Sequence, residues 1–316
     1  MSKELSLRET GQLLEAAQKI VLCTHVSPDG DTLGSSLGLA MSLIKLGKEV
    51  IVYCDDLINK SFSFIPGIEM VQRPQQGSKL AADLLVVIDA SSFDRIGIVG
   101  EAVEYKQLLN IDHHISNTRF ADFLYLDAKA AATGEIMCGL FQEMQWPMNK
   151  DIAECFYIAI STDCGSFRYA NTTPKTMRAG AWLLEQGVNP NEISDKLDVR
   201  SRLTMEMLAK VLPSLTFEGD GKIAYLTITN DLYNKDANTD SFVNYPRYIE
   251  GVEVAIMFKA VEPQVTRVSM RSSKVDVAQV ALSFGGGGHV RAAGCTMYAP
   301  VEEAREQLLA QLRQLV

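Results

Sequence analysis

The sequence predicts an α/β protein of two domains: an N-terminal domain with a parallel sheet and helices on both faces, then a helical connector and a smaller α/β domain. Three observations carry that prediction. Through the first half of the chain, short continuously apolar runs alternate with stretches of helical spacing, the pattern of parallel strands covered on both faces. Beyond residue 213 the pattern changes to strand-like runs followed by one closing helix. The chain has 316 residues, more than the roughly 250–300 at which a single core stops growing. A hydrophobic fraction of 47% with 22% charged residues belongs to a folded globular chain, which excludes a disordered one.

The elements follow in order. Residues 20–25 form an apolar run ending in polar residues, the first expected strand. Residues 33–46 have helical spacing, and Gly47 is placed to cap that helix at its C-terminus. Residues 50–54 and 84–88 are further β-rich runs. Residues 107–111 are another, with Asp112 just beyond the end. Residues 136–141 and 152–160 carry the next helical patterns. The charged segment 189–212, bounded by Pro190 and Pro213, reads as a helical connector. Strands are expected at 223–229, 252–258 and 265–270, and an amphipathic helix at 301–315. The resulting division is a first domain at 1–189, a linker at 190–213 and a second domain at 214–316.

Composition narrows the function. No apolar stretch approaches the ~18–20 residues of a membrane helix, and residues 1–11 lack the apolar core of a secretory signal. Six cysteines at irregular spacing contain no CxxC, which argues against a zinc ribbon or redox pair. They are expected to be reduced, buried thiols of a cytoplasmic protein. With 39 acidic against 30 basic residues, the net charge of -9 disfavours a broad surface for long DNA or RNA. A small anionic substrate stays compatible, because bound cations reverse the field inside one cleft.

The four histidines, His25, His113, His114 and His289, all sit beside turn-rich or carboxylate-rich segments. In the segment from Thr24 to Ser35, a strand delivers His25, and a turn on Pro28 and Gly30 sets Asp29 and Asp31 two residues apart. Asp-Gly and Pro-Asp are also ordinary turn and cap chemistry, so this segment alone leaves a metal site and a plain turn equally open. Asp89 follows a fully apolar strand, where an acid enters the crevice at the carboxyl ends of a parallel sheet or caps a helix. Asp112-His113-His114 ends another strand, and its adjacent histidines diverge, so they should have different roles. Asp163 ends an apolar helix, followed by Cys164, whose place beside an acid makes either simple packing or an oxidisable position.

Together His25, Asp29, Asp31, Asp89, His113 and Asp163 supply six N/O donors, enough for two metals if one carboxylate bridges. Two such ions clamp a phosphoryl group and activate water. The lack of thiolates favours Mn2+, with Mg2+ or Co2+ as alternatives, over structural zinc. Near the C-terminus, four consecutive glycines at 285–288 run into His289. Such a run lets backbone N–H groups approach an anion, and His289 and Arg271 add positive charge.

Taken jointly, the HxxPDGDxxGS segment at 25–35, Asp89, Asp112-His113-His114, Ser161-Thr162-Asp163 and the Gly285-to-His289 run resemble the DHH/DHHA1 phosphoesterases. The likeness is strongest to their nano-RNase and pAp-phosphatase branch. It implies a DHH domain joined to a DHHA1 domain, with the active site in the cleft between them. It implies that His25, Asp29 and Asp89 hold one metal, and that Asp31, Asp89, His113 and Asp163 hold the other. His114 would face the scissile phosphate and Asp112 would orient the histidine pair. Arg271, Ser272, Gly287, Gly288 and His289 would hold the substrate's other phosphate. The implied substrates are short RNA or DNA oligonucleotides, cut to mononucleotides, and 3'-phosphoadenosine 5'-phosphate (pAp). A homodimer is compatible with the sequence. Cleavage of cyclic di-AMP or pApA uses the same metal residues and is the alternative within the family. A non-catalytic nucleotide-binding regulator is the alternative of another class, against which all six ligand positions keep competent residues. The inorganic polyphosphatase branch shares only the first domain.

Overall fold

The computed structural model describes residues 2–316, and its first unit, ending at Val199, is organised on strands that are apolar on both faces. These strands are β1 (Lys3–Glu4), β2 (Lys19–Cys23), β3 (Glu49–Tyr53), β4 (Val71–Gln72), β5 (Leu80–Ile88), β6 (Val103–Asp112) and β7 (Phe123–Leu126). Among the described residues they form one sheet in the order β1-β7-β6-β5-β2-β3-β4, with every neighbouring pair parallel. From β2 the chain builds outward through β3 and β4; from β5 it builds the other way through β6 and β7. The strand order therefore reverses between β2 and β5, and in such sheets the crevice beyond the carboxyl ends is where ligands gather.

The helices of this unit are α1 (Leu7–Ala16), α2 (Gly30–Lys45), α3 (Val99–Ala102), α4 (Thr133–Met144), α5 (Lys150–Asp163), α6 (Pro174–Glu185) and α7 (Pro190–Asp198). Both sheet faces are covered, but unequally. Leu22, Val86, Ile88, Leu109 and Ile111 face the long helices, burying Leu37, Ile136 and Phe156 among others. The alternate residues Val21, Leu85, Val87 and Leu108 pack instead on Ile96 of a short turn and Val99 of α3. The helix expected from residue 33 starts at Gly30, because Asp29 caps it through hydrogen bonds accepted from Asp31 N–H and Thr32 N–H. Gly30, Gly34 and Gly38 lie four apart on one stripe of α2. A Cβ there would collide with Thr162, the Cys155 carbonyl and the Phe156 ring of α5, respectively. That stripe lets the two helices approach closely and draws the C-terminal end of α5, with Asp163, toward the start of α2.

The segment expected as one connector is two helices, α7 and α8 (Arg202–Val211), and the division between units falls in the break at Val199/Arg200. The second unit, Arg200–Val316, adds β8 (Thr216–Glu218), β9 (Ile223–Ile228), α9 (Asn244–Arg247), β10 (Val254–Glu262), β11 (Val265–Ser272), α10 (Val277–Ser283), β12 (Gly287–His289), β13 (Ala292–Met297) and α11 (Val301–Leu312). Its sheet, in the order β12-β13-β11-β10-β9-β8, is antiparallel except between β9 and β10. Val277, Val280, Leu308 and Leu312 from α10 and α11 cover one face, and Met207, Leu208 and Val211 from α8 cover the other. Among the described residues no helix is long and apolar enough to cross a membrane. The six cysteines are free and buried.

Candidate active site

The carboxyl ends of β2, β5 and β6 and the facing ends of α2, α4 and α5 bring eight of the residues singled out in the sequence into one cluster. His25 lies two residues beyond β2, and Asp29 and Asp31 occupy the cap and first turn of α2. Asp89 is the first residue past β5, and its backbone is left-handed at φ 61°. Asp and Asn tolerate that region better than most side chains, and such strain concentrates at functional sites. Asp112 closes β6, with His113 and His114 immediately after it, and Asp163 is the last residue of α5.

The donors converge on Asp89. His25 Nε2 lies 3.6 Å from an oxygen of both Asp29 and Asp89. His113 Nε2 lies 3.4 Å from Asp89 Oδ1, 3.6 Å from Asp163 Oδ2 and 3.7 Å from Asp31 Oδ2. Three groups that contain Asp89, namely His25/Asp29/Asp89, Asp31/Asp89/His113 and Asp89/Asp112/His114, each place one donor atom per residue within 4.8 Å of the others. The imidazoles are held from behind. His113 Nδ1–H donates to the Ala130 carbonyl at 3.2 Å and His25 Nδ1–H to the Val26 carbonyl at 2.9 Å. Each bond made this way orients the ring and aims Nε2 at the carboxylates.

Asp31 has a second job. The N-cap position of α4 is Ala132, which has no side chain able to cap. Asp31 supplies what is missing, accepting from Thr133 N–H at 2.7 Å and Gly134 N–H at 2.9 Å, with Ser35 Oγ–H donating to it as well. Asp112 is similarly anchored. It accepts from its neighbour's His113 N–H, from Asn117 Nδ2–H at 2.6 Å, and from His114 Nδ1–H at 2.7 Å.

Charge in this cluster is crowded. Burial, with Asp89, Asp163 and Asp29 close by, pushes Asp31 well above the usual carboxylate range. Burial likewise lifts Asp163 to about 7, with His113 opposing and Asp89 and Asp29 adding to the rise. Burial disfavours charge on His25, yet Asp29 and Asp89 outweigh it and raise the imidazole to about 10. Buried carboxylates such as Asp31 and Asp163, which favour protons beside so much like charge, together with oriented imidazole nitrogens and no thiolate, fit hard or borderline divalent cations. Because cations and protons compete for these lone pairs, Mn2+ binding should release protons. Its affinity should rise from mildly acidic to mildly basic buffer, by about tenfold per pH unit for each proton displaced. A Mn2+ titration by calorimetry in buffers of different ionisation enthalpy measures both quantities; an affinity independent of pH, with no proton released, would exclude these donors.

Sequence reasoning did not find several residues that complete the cluster. Thr133 Oγ1–H donates to Asp89 Oδ1 at 2.9 Å, and Arg95 Nη2 lies 3.3 Å from His25 Nδ1. Thr32 Oγ1–H ties α2 to the Ile88 carbonyl. Asn117, which Asn110 also engages, lay inside the conspicuous segment after β6; Thr133 had only its place at a helix start as a signal. Cys164, in contrast, joins the hydrophobic core with its Sγ accepting from Phe167 N–H, as the packing reading expects.

The remaining candidates belong to the second unit. Arg271 of β11 and His289 of β12 both pair with Ala292 of β13, placing them in one cross-strand row. Ser272 follows on β11, its N–H donating to the Arg291 carbonyl. The glycine run divides in purpose. A Cβ at Gly286 or Gly288 would collide with the Gly294 or Ala292 carbonyl of β13, so sheet packing requires those two. Gly287 has a clear 4 Å around the same position, so packing does not require glycine there.

Residues 19–160 match the DHH family, N-terminal domain, and residues 220–316 match the DHHA1 domain. The chain is 35% identical to a Thermus thermophilus protein named bifunctional oligoribonuclease and PAP phosphatase NrnA, over 98% of this chain and 94% of that one. A Bacillus subtilis protein of the same name is 27% identical over 94% of each. Among solved structures, an exopolyphosphatase-related protein from Bacteroides fragilis superposes with a TM-score of 0.87 at 25% identity, covering 98% of this chain and 96% of that one. RecJ from Thermus thermophilus, crystallised with Mn2+, has a TM-score of 0.55 at 14% identity over 98% of this chain and 54% of that one, a likeness of fold.

Proposed function

The chain belongs to the DHH/DHHA1 phosphoesterase family, and from that premise we propose that it hydrolyses short oligoribonucleotides to mononucleotides and dephosphorylates pAp to AMP. The observation that carries the reading is Asp89, shared by the His25/Asp29 and Asp31/His113 donor groups in a chain that spans nearly the full length of its NrnA relatives. His25, Asp29 and Asp89 would hold one divalent ion; Asp31, Asp89, His113 and Asp163 would hold the second, with Mn2+ the best fit to an N/O donor set. Bound there, the ions supply Lewis acidity for an attacking water and for the phosphoryl oxygens.

The protein's own groups do the rest. Thr133 and the helix-capping contacts of Asp31 keep the carboxylates in place before substrate arrives. In the metal-free protein His114 favours its protonated form. Burial works against charge there, but the Asp112 hydrogen bond and Asp89 raise it to about 9. A protonated imidazole donates to a phosphate oxygen, and Asp112 fixes the ring for that purpose. Arg271, Ser272, Gly287, Gly288 and His289 would hold the substrate's other phosphate. The free buried thiols support a reducing compartment, the cytoplasm.

The test is hydrolysis of labelled RNA from dimers up to roughly 24-mers, alongside pAp, with and without Mn2+. Dimers to pentamers should be consumed fastest, because an acidic chain offers no basic track for a longer strand. Arg271→Ala and His289→Ala should each slow oligonucleotide and pAp hydrolysis by about 10–100-fold, the worth of a charged hydrogen bond. Hydrolysis of bis-nitrophenyl phosphate, which has no second phosphate, should change little. Equal slowing of all substrates would make these residues structural, and degradation of the longest RNA as fast as a trimer would overturn the substrate assignment.

A further inference from the structure

One short strap, residues 130–134, touches three of the candidate metal ligands at once. The Ala130 carbonyl accepts from His113 Nδ1–H, Thr133 N–H and Gly134 N–H donate to Asp31, and Thr133 Oγ1–H donates to Asp89. The strap itself is three alanines, a threonine and a glycine, with no side chain large enough to hold it in place. What holds it is a carboxylate on its outer side. Glu135, in the first turn of α4 and 1% exposed, accepts from Ala131 N–H at 3.2 Å and from Thr176 Oγ1–H of α6 at 2.7 Å through Oε2. Its other oxygen faces Lys175 Nζ at 3.4 Å, and Lys175 in turn binds Asp127 at 2.9 Å. From the other end, Asn171 Nδ2–H donates to the Ala131 carbonyl at 3.0 Å and to the Asp163 carbonyl at 3.3 Å, joining the strap to the helix end that carries Asp163.

A buried carboxylate is costly unless its oxygens are satisfied, and packing alone would be served by an apolar residue here. Its use is geometric: it sets the strap's height above α4 and α6, and the strap sets the spacing of Asp31, Asp89 and His113. We propose that Glu135 is a positioning residue for the metal centre, acting through the 130–134 strap with Asn171 as its counterpart, an inference that rests on the metal reading above. Groups that orient metal ligands from behind change metal affinity by about 10–100-fold.

The experiment is direct Mn2+ titration of the full-length protein, following the free-ion electron paramagnetic resonance signal, with melting of the metal-free protein and turnover at saturating Mn2+ measured in parallel. Glu135→Leu should weaken Mn2+ binding by about 10–100-fold and leave turnover at saturating Mn2+ far less affected. Glu135→Gln keeps an amide oxygen that accepts from both Ala131 and Thr176, and should recover most of the affinity. Asn171→Ala, at an exposed position, acts on the same strap through the Ala131 carbonyl and leaves Glu135 in place. It should weaken Mn2+ binding several-fold, and it tests the inference even if Glu135→Leu fails to fold. A Glu135→Leu protein that melts lower but binds Mn2+ as the wild type does would overturn the inference, as would a Gln variant no better than Leu or an unaltered Asn171→Ala. A wild type that binds no Mn2+ overturns the metal reading, and this inference with it.

Discussion

Asp89→Asn should abolish turnover and leave the fold intact. Asp89 is common to the His25/Asp29 and Asp31/His113 donor groups, so the change removes a negative charge from each proposed ion site at once. Charge stabilisation by bound cations is worth several kcal/mol, so turnover should fall by about 10³-fold or more. Two features protect the fold. Asparagine tolerates the left-handed backbone at φ 61° as well as aspartate does. Its amide oxygen still accepts from Thr133 Oγ1, and Asp89 N–H keeps its bond to the Ile111 carbonyl. The measurements are Mn2+-supported hydrolysis of a labelled dinucleotide and a melting curve. Full activity with Mn2+ supplied would remove the two-metal assignment; loss of the folded protein would show that the charge serves stability.

The parallel sheet and the acids at its strand ends were legible because they depend on local pattern. Continuous apolar runs mark strands buried on both faces, and a polar residue directly after such a run has only the crevice to enter. Asp89, Asp112 and His113 could therefore be placed without any long-range contact. The two-residue edge strands β1 and β4 could not, since a run that short has no periodicity. The spacing of Asp29 and Asp31 fits a turn or a cap alike; the structure makes Asp29 the cap and Asp31 a first-turn residue, because the cap's own hydrogen bonds start the helix at Gly30. What stayed hidden depends on tertiary approach. Asp31 caps a helix 102 residues away, and Thr133 reaches an aspartate 44 residues before it. Both meet on an alanine-rich strap whose residue types announce nothing. The glycines of α2 illustrate the same limit: their four-residue spacing is visible in sequence, but the helix pressed against them is not.

The adjacent histidines should fail in different ways when removed. Their rings stand 4.7 Å apart at 61° and are tied to different partners. His113, 4% exposed, gives its Nδ1 proton to the Ala130 carbonyl and sets Nε2 among Asp31, Asp89 and Asp163. His114 gives its Nδ1 proton to Asp112, keeps 22% side-chain exposure, and is raised to about 9: burial opposes its charge, but the Asp112 hydrogen bond and the nearby Asp89 prevail. With its Nδ1 committed to Asp112 and its ring partly exposed, His114 is placed to donate to a phosphate oxygen. His113→Ala should therefore weaken Mn2+ binding by more than about 100-fold, since even groups behind a ligand are worth 10–100-fold. His114→Ala should keep Mn2+ near wild-type affinity and lose about 10²–10⁴-fold in turnover, the range for a positioned proton donor. Asp112→Asn should resemble His114→Ala more than His113→Ala, because Asp112 holds the imidazole ring of His114 and meets His113 only at its backbone N–H. Mn2+ titration of the three variants separates these outcomes from any general loss of activity. If His114→Ala loses the metal as completely as His113→Ala does, both histidines are ligands, and the proton that reaches the phosphate must come from elsewhere.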